Sequence, residues 1–343
     1  MSQSAELQVI ANAMVAPGKG ILAADESSGT IKKRFDSIQV ESTEANRRAY
    51  RNLLFTTPGM ESCISGVILY EETLRQNALD PAETPFSKLL ADKGVIPGIK
   101  VDTGAYPLAG FLGEVVTEGL DGLRKRLETY RELGARFAKW RAVITIGERI
   151  PSLTCIDANA HGLARYAALC QEAGIVPIVE PEVLIDGRHT IDRCDEVTEM
   201  TLNRVFSALH EHRVVLEGIV LKPSMVISGS ECPVQAGVEE VADRTVKNFL
   251  RTVPAAVPGI AFLSGGQSSE LATAHLNAMN ALFPNLPWQV SFSYGRALQD
   301  APLKAWCGQE ANVALAQKAF AHRASLNSAA RYGRYNSEME KAV

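Results

Sequence analysis

Short apolar runs rich in branched side chains recur along the chain at intervals of roughly 30 to 45 residues, each long enough for one strand and one helix. Several of these runs are apolar at consecutive positions, which is typical of parallel strands covered by helices. The pattern predicts strands at Gly20–Ala24, Gly66–Tyr70, Val95–Val101, Phe137–Ile144, Ile175–Val179, Leu216–Leu221, Gly259–Leu263 and Trp288–Phe292.

Between these runs, apolar residues return at helical spacing. Near the amino terminus, Leu7, Ile10 and Met14 predict a short amphipathic helix. Gly134 and Gly174 follow two longer patterns and supply the usual helix stop. Further helices are predicted from stripes at Leu120, Leu123, Leu127 and Tyr130, at Leu163, Tyr166, Ala167 and Cys170, and at Val197, Thr201, Val205 and Leu209.

The alternation of strands and helices decides the fold class. No Pro-, Gly- or Ser-rich linker is long enough to separate domains, so we predict a single (β/α)8 TIM barrel with an N-terminal helix over residues 1–330. The polar segment 331–343 is predicted to be a short C-terminal tail. A doubly wound sheet is the alternative, but it would normally carry a Gly-rich fingerprint after its first strand, and Gly18–Gly20 precedes that strand.

Composition limits which binding partners and which cellular compartment we expect for this protein. The 343 residues include 35 Lys and Arg against 39 Asp and Glu, a slightly acidic balance that argues against nucleic-acid or anionic-membrane binding. No stretch approaches the roughly 18 consecutive apolar residues of a membrane helix, and residues 1–16 lack the cationic start of a secretion signal. Six scattered cysteines without a C-x-x-C pair indicate reduced thiols, so we expect a cytoplasmic protein.

Charged residues close, or lie within, most of the predicted strands. Because the carboxyl ends of barrel strands converge on one face, these side chains are expected to share one mouth. Charges beside buried strands are costly unless they are paired, so a salt-bridge network that closes the barrel is the alternative for any one of them. Their presence at nearly every strand predicts an active site formed from Asp25, Lys100, Lys139, Arg141, Glu180, Glu182 and Lys222.

The residue types suggest the chemistry of this site. Lys222 ends an apolar run, and a lysine held near like charges and partly desolvated is a competent amine nucleophile. Glu180 and Glu182 are two positions apart on a strand, so both can face one pocket, one as general acid/base and the other holding it in position. Ser264–Gln267 and Arg296 follow the seventh and eighth strands, where barrels most often bind phosphate.

Metal chemistry has little support in the sequence. The run His210–His212 lies at the polar end of a predicted helix, where a solvated face is the simpler explanation than a metal site. No H-x-x-x-H motif is present, and the other histidines lack ligand spacing. We therefore predict no metal ion and no bound cofactor.

Eight long blocks occur in one order, and together they resemble the class I, Schiff-base-forming fructose-1,6-bisphosphate aldolases from about Leu7 to about Tyr335. The resemblance implies a TIM barrel that reversibly cleaves fructose 1,6-bisphosphate into dihydroxyacetone phosphate and glyceraldehyde 3-phosphate. It also implies a metal-independent homotetramer. The blocks are APGKGILAADES (Ala16–Ser27), NRRAYR (Asn46–Arg51), GIKVD (Gly98–Asp102), FAKWR (Phe137–Arg141), IVPIVEPE (Ile175–Glu182), LEGIVLKP (Leu216–Pro223), FLSGGQS (Phe262–Ser268) and FSYGRALQ (Phe292–Gln299).

The resemblance also implies a role for each catalytic candidate. Lys222 matches the lysine that forms the iminium with the C2 carbonyl, and Glu180 matches the general acid/base of that step. Asp25 matches the acid that takes the hydroxyl proton as the C3–C4 bond breaks. Lys139 matches a second lysine whose charge keeps Lys222 unprotonated, and Glu182 matches its neighbouring carboxylate.

The substrate-binding candidates divide into two groups under the same resemblance. The cradle of the C1 phosphate is matched by Ser264, Gly265, Gly266, Ser293, Gly295 and Arg296. Positions around the other phosphate or the sugar are matched by Ser27, Thr30, Arg34, Lys100 and Arg141.

Three alternatives stay open at the level of sequence. Fructose 1-phosphate or sedoheptulose 1,7-bisphosphate could be the main substrate, because Thr103 stands where related chains often have a further lysine. The group that returns the proton is not identified, since the chain ends Ser337–Val343 without the terminal tyrosine of animal members. The third alternative is a binding protein on an aldolase barrel that has lost its activity, although the four catalytic candidates Asp25, Lys139, Glu180 and Lys222 are all present.

Overall fold

The computed structural model describes residues 2–341, and within that range eight parallel strands close into a barrel. With the two strands of a separate hairpin, β4 and β5, the described range has ten strands: β1 Gly20–Ala24, β2 Ile64–Leu69, β3 Ile96–Lys100, β4 Gly104–Pro107, β5 Val115–Glu118, β6 Phe137–Ile144, β7 Val176–Val183, β8 Val220–Leu221, β9 Gly259–Phe262 and β10 Gln289–Tyr294. Around the barrel the order is β1-β10-β9-β8-β7-β6-β3-β2, which confirms the predicted (β/α)8 fold.

Helices cover the outside and the amino-terminal end of this barrel. They are α1 Gln3–Met14, α2 Ser28–Asp36, α3 Glu44–Phe55, α4 Glu71–Leu74, α5 Phe86–Asp92, α6 Leu123–Glu132, α7 Leu153–Glu172, α8 Ile191–Glu211, α9 Val238–Thr252, α10 Ser269–Leu282, α11 Arg296–Trp306 and α12 Val313–Arg331. Short 3₁₀ turns occur at Met60–Ser62, Leu216–Gly218, Glu310–Asn312 and Ser337–Lys341. None of the helices in the described range is long and apolar enough to cross a membrane.

The barrel interior is apolar at its amino-terminal end, and the predicted N-terminal helix α1 closes that end. Leu7 and Met14 of α1 pack in one buried cluster with Ile21, Phe137 and Ile178 from the strands. The Phe137 ring needs the space left by Gly98 on the neighbouring strand, because a Cβ there would lie 2.2 Å from the ring. This apolar plug leaves only the opposite end of the barrel open for polar chemistry.

Six of the eight predicted strands have different bounds in the structure, and two of them differ by four residues at one end. Strand β7 continues through Val183, so Glu180 and Glu182 lie within the strand rather than after it. The predicted run Leu216–Leu221 is mostly a 3₁₀ turn, and only Val220–Leu221 pairs as β8. The Gln171 side-chain amide donates to the carbonyl of Val215 at 2.8 Å. A side chain thus supplies a hydrogen bond that a neighbouring strand would supply if β8 were longer.

The antiparallel hairpin β4–β5, which lies between β3 and β6, has no counterpart among the predicted strands. Its register pairs Gly104 with Glu118 and Pro107 with Val115. Each strand has four residues, and most of them are partly or fully exposed. No apolar run therefore marks these strands in the sequence.

The carboxy-terminal segment packs against the barrel. Helix α12 extends through Arg331, one residue past the predicted boundary, because the buried Arg331 side chain donates to the carbonyls of Val15 and Ala16 at 2.9 and 3.0 Å. In the tail itself, the Tyr335 hydroxyl donates to Glu340 at 2.8 Å. The division into a barrel of residues 1–330 and a tail of 331–343 stays a prediction. All six cysteines are free thiols, as expected.

Candidate active site

A cavity of about 230 Å³ opens at the carboxyl ends of the barrel strands, and every predicted site residue except Gly266 lines it. The lining also includes Ala23, Glu26 and Leu263. The predicted residues that the fold brings together here are Asp25, Ser27, Thr30, Arg34, Lys100, Lys139, Arg141, Glu180, Glu182, Lys222, Ser264, Gly265, Ser293, Gly295 and Arg296.

The alternation of side chains along each strand explains how distant residues meet in this cavity. On β6, Phe137 belongs to the interior apolar cluster, and Lys139 and Arg141 follow it on the same face. On β7, the same period carries Glu180 and Glu182 into the cavity. The inward face of each strand thus changes from apolar to charged toward its carboxyl end.

A buried charge cluster occupies the floor of the cavity. The Nζ of Lys139 lies 2.8 Å from Oδ2 of Asp25 and 3.3 Å from Oε2 of Glu180. The Nζ of Lys222 lies 3.4 Å from Oε1 of the same glutamate. Both amines therefore contact one carboxylate. Each of these two lysine side chains is only 5% exposed, so water screens the interactions weakly.

The cluster fixes the protonation of two of its members. Burial raises the pKa of the Asp25 carboxyl, but the charges of Lys139, Lys222 and Lys100 outweigh burial and hold that pKa below its usual value. Burial lowers the pKa of the Lys139 ammonium, but the charges of Asp25 and Glu180 outweigh it and hold that pKa above its usual value. Asp25 is therefore a carboxylate and Lys139 an ammonium near neutral pH.

Three lysines reach the cavity, and their contacts distinguish them. Lys100 donates to the side chain and the carbonyl of Asp102, at 2.6 and 2.8 Å. Lys139 is held by Asp25, as described above. Lys222 has one ionic contact among the described residues, the 3.4 Å approach to Glu180. Lys222 is therefore the cavity lysine least engaged by hydrogen bonds in the described part of the chain.

One end of the cavity is built to receive an anion. Gly265 and Gly266 form a tight turn with φ values of 58° and 98°, a region that favours glycine. The Oγ of Ser293 is buried and has no hydrogen-bond partner among the described residues. Gly266 lies just outside the lining, where a Cβ would be 3.3 Å from the Arg296 guanidinium. Hydroxyl, backbone N–H and guanidinium groups together suit a phosphate.

Two acidic residues that have no predicted role hold predicted site residues in place. Asp102 binds Lys100, and its other oxygen accepts a hydrogen bond from the backbone N–H of Arg141 at 3.3 Å. Glu26 contacts Arg34 at 3.0 Å. Both acids stand at strand ends in the sequence, and that position is the signal that could have identified them. Arg141 in turn forms an ion pair with Glu182.

The candidate metal ligands of the sequence lie outside the cavity. His210 and Glu211 are exposed, and His212 approaches His161 with 3.4 Å between ring nitrogens. Within residues 2–341, no group of three or more His, Cys, Asp and Glu side chains is arranged to hold a metal ion.

Comparisons with known proteins identify the family. The family model described as fructose-bisphosphate aldolase class-I matches residues 6–343. A "Probable fructose-bisphosphate aldolase class 1" of Xanthomonas campestris is 62% identical over 96% of this chain and 98% of the relative. "Fructose-bisphosphate aldolase 6, cytosolic" of Arabidopsis thaliana is 57% identical over 96% of this chain and 92% of that protein.

A solved structure shows the same likeness in three dimensions. The fructose-bisphosphate aldolase of Plasmodium falciparum, crystallised with TRAP and a small-molecule inhibitor, superposes with a TM-score of 0.95. The two chains are 50% identical, and the match covers 98% of this chain and 96% of the other. The chain therefore belongs to the family of class I fructose-bisphosphate aldolases, enzymes of the lyase class.

Proposed function

We propose that the enzyme cleaves fructose 1,6-bisphosphate reversibly through an iminium on Lys222. The observation that carries this proposal is the contrast among the three cavity lysines. Lys100 and Lys139 are each hydrogen-bonded to a carboxylate, whereas Lys222 makes only the 3.4 Å contact with Glu180. The ammonium of Lys139 contacts the same carboxylate at 3.3 Å, so Glu180 lies between the two amines.

The covalent steps balance with the groups at the cavity floor. The Lys222 amine adds to the C2 carbonyl, and Glu180 carries one proton from the nitrogen to the oxygen, which gives the carbinolamine. Glu180 then delivers a second proton, taken up from solvent, to the carbinolamine hydroxyl, which leaves as water while the nitrogen lone pair forms the iminium. The carboxylate of Asp25 then accepts the C4 hydroxyl proton while the C3–C4 bond breaks. Its electron pair moves into the iminium, giving an enamine and free glyceraldehyde 3-phosphate. Protonation of the enamine and addition of water release dihydroxyacetone phosphate and the lysine.

The remaining predicted residues hold the two phosphates and the sugar. In this proposal Arg141 and Glu182 form an ion pair with each other and line the cavity near Lys139, on the side that receives the sugar. The group around the C1 phosphate is Ser264, Gly265, Gly266, Ser293, Gly295 and Arg296, and the group around the rest of the substrate is Ser27, Thr30, Arg34 and Lys100.

We extend three properties of the family to this chain. The reaction needs no metal ion, because the iminium itself is the electron sink. The enzyme assembles as a homotetramer. It works in the cytoplasm, and the relatives include plant proteins named as cytosolic or cytoplasmic isozymes.

Borohydride trapping tests the proposed function directly. The protein is incubated with dihydroxyacetone phosphate in EDTA, reduced with borohydride, and digested for mass mapping. We expect a stable adduct on the peptide that contains Lys222. Binding of the sugar phosphate without an adduct would support a binding protein that has lost its catalytic activity. An adduct on Lys100 or Lys139 would reject the proposed assignment of the nucleophile.

Replacing Lys139 with methionine is expected to move the acid limb of the kcat/KM profile to higher pH. Lys139 is the cation that most strongly lowers the pKa of Asp25, so its removal lets burial raise that pKa. The proposed base must be ionised, and activity is lost as pH falls through its pKa. A higher pKa therefore shifts the loss to higher pH, which steady-state assays between about pH 5 and 9 measure.

Lys125→Met is the matched control for this prediction, because Lys125 is exposed on α6 and lies outside the cavity. Its profile should equal that of the wild type. An unchanged acid limb in a folded Lys139→Met variant would contradict the proposed coupling between Lys139 and Asp25.

A further inference from the structure

A buried carboxylate between two guanidinium groups lies beside the cavity. The Oε1 of Glu26 is 3.0 Å from Nη1 of Arg34, and its Oε2 accepts a hydrogen bond from Nη2 of Arg51 at 2.7 Å. Arg34 and Glu26 line the cavity, whereas the Arg51 side chain is 4% exposed and lies behind them. We refer to these three residues as the Arg34–Glu26–Arg51 triad.

The charge balance of the triad is the property that matters for an anionic ligand. Without Arg51, the charge of Glu26 would neutralise that of Arg34, which is the only cation of the triad that lines the cavity. Arg51 supplies the second positive charge, so the triad keeps a net charge of plus one in a buried setting where charges are weakly screened. The Nη1 of Arg34 is occupied by its ion pair with Glu26, but the Arg34 side chain lines the cavity and is 18% exposed, so a ligand can approach the rest of the guanidinium.

A fourth residue fixes the orientation of Glu26. The Gln299 amide donates to Oε1 of Glu26 at 2.9 Å and to the carbonyl of Ala23 at 2.6 Å. Gln299 belongs to α11, whereas Arg34 is on α2 and Arg51 on α3. Because three helices meet at one carboxylate beside β1, the triad is rigid and Glu26 is not free to turn away from Arg34.

We propose that Arg51 is a positioning and specificity-determining residue, which keeps Arg34 electrostatically available to the second phosphate of a bisphosphate substrate by neutralising Glu26. The proposal rests on the proposed function, which places Arg34 in the group around the rest of the substrate, and it takes the phosphate remote from C1 as the partner of Arg34. Arg51 itself does not touch the substrate. Its effect should therefore appear with substrates that carry two phosphates and be absent with substrates that carry only the C1 phosphate.

Substitution of Arg51 by methionine tests this distinction. We expect the KM for fructose 1,6-bisphosphate to rise by about tenfold, the effect of one charge acting over several ångströms in a partly buried site. The KM for fructose 1-phosphate and the kcat for both substrates should stay near their wild-type values. Arg47→Met is the matched control, since Arg47 lies on the same helix but pairs with Glu72 outside the cavity.

Changes at Glu26 test the sign of the predicted change in KM for the bisphosphate. Glu26→Gln removes the negative charge and should lower the KM for the bisphosphate. The double variant of Arg51→Met with Glu26→Gln again leaves one net positive charge on Arg34, so its KM should return toward that of the wild type. Arg51→Lys retains the charge and should remain close to the wild type, which keeps the test informative if Arg51→Met does not fold.

Several results would overturn the proposal. If Arg51→Met raises the KM of both substrates equally, or if Glu26→Gln raises the KM of the bisphosphate, the triad acts through structure and not through charge. A double variant with a higher KM than Arg51→Met alone would also exclude the charge mechanism. These outcomes differ from failure of the proposed function, in which the wild type gives neither turnover nor an adduct on Lys222 and both proposals fall.

Discussion

Replacing Lys222 with arginine is expected to lower kcat by at least about 10⁴-fold, the usual scale for loss of a covalent nucleophile. Arginine places a basic side chain near Glu180, so the buried carboxylate keeps a partner for its contact. A guanidinium does not lose its proton in proteins, however, and cannot add to a carbonyl. The substitution therefore separates the nucleophilic role of Lys222 from its contact with Glu180.

A coupled assay of glyceraldehyde 3-phosphate release measures this effect, and borohydride trapping on the same protein locates any adduct. Lys88→Arg is the control, because Lys88 forms an exposed ion pair with Asp92 on α5. We expect that variant to have normal turnover. If Lys222→Arg retains more than about one per cent of kcat, with an adduct on another cavity lysine, Lys222 is not the nucleophile.

The sequence predicts the barrel well because two simple periodicities define it. The run Phe137–Ile144 is apolar on its outward face and places Lys139 and Arg141 inward, so one pattern predicts both a strand and its cavity residues. The predicted bounds of β1 and β6 match the structure for the same reason. Convergence of the strand ends then follows from topology alone.

Contacts between distant elements could not be predicted in this way. Arg51 and Glu26 are 25 residues apart, and Gln299 reaches the same carboxylate from the other end of the chain. Nothing in the pattern of apolar residues specifies which buried charges pair, because pairing depends on how helices pack around the barrel. The charge on Arg34 that a ligand experiences is therefore a property of the folded protein.

The contacts of the three cavity lysines are a second feature that the sequence does not specify. Sequence alone marks Lys222 as the nucleophile candidate because it ends an apolar run, but it does not show what Lys100 and Lys139 contact. The distances add that distinction, since Lys139 approaches Asp25 at 2.8 Å while Lys222 has the single longer contact with Glu180. The structure thus adds a physical reason for proposing Lys222.

Replacing Asp25 with asparagine is expected to lower kcat for cleavage of fructose 1,6-bisphosphate by about 10³-fold, within the range for loss of a general base. Asparagine has nearly the shape of aspartate but cannot accept the C4 hydroxyl proton. In the wild type the lysine charges hold the pKa of Asp25 below its usual value, so the base is fully ionised near neutral pH. Lys139 keeps its 3.3 Å contact with Glu180 in the variant.

Trapping should show where Asp25→Asn stops the reaction. Formation of the iminium uses Lys222 and Glu180, so the adduct should still form on Lys222. With fructose 1,6-bisphosphate as substrate, the reduced adduct should have the mass of the intact six-carbon sugar bisphosphate, because the C3–C4 bond does not break. Asp36→Asn, at an exposed ion pair on α2, is the control and should give normal turnover. Loss of the adduct together with turnover, or cleavage within about tenfold of the wild type, would contradict the assignment of Asp25 as the base of the cleavage step.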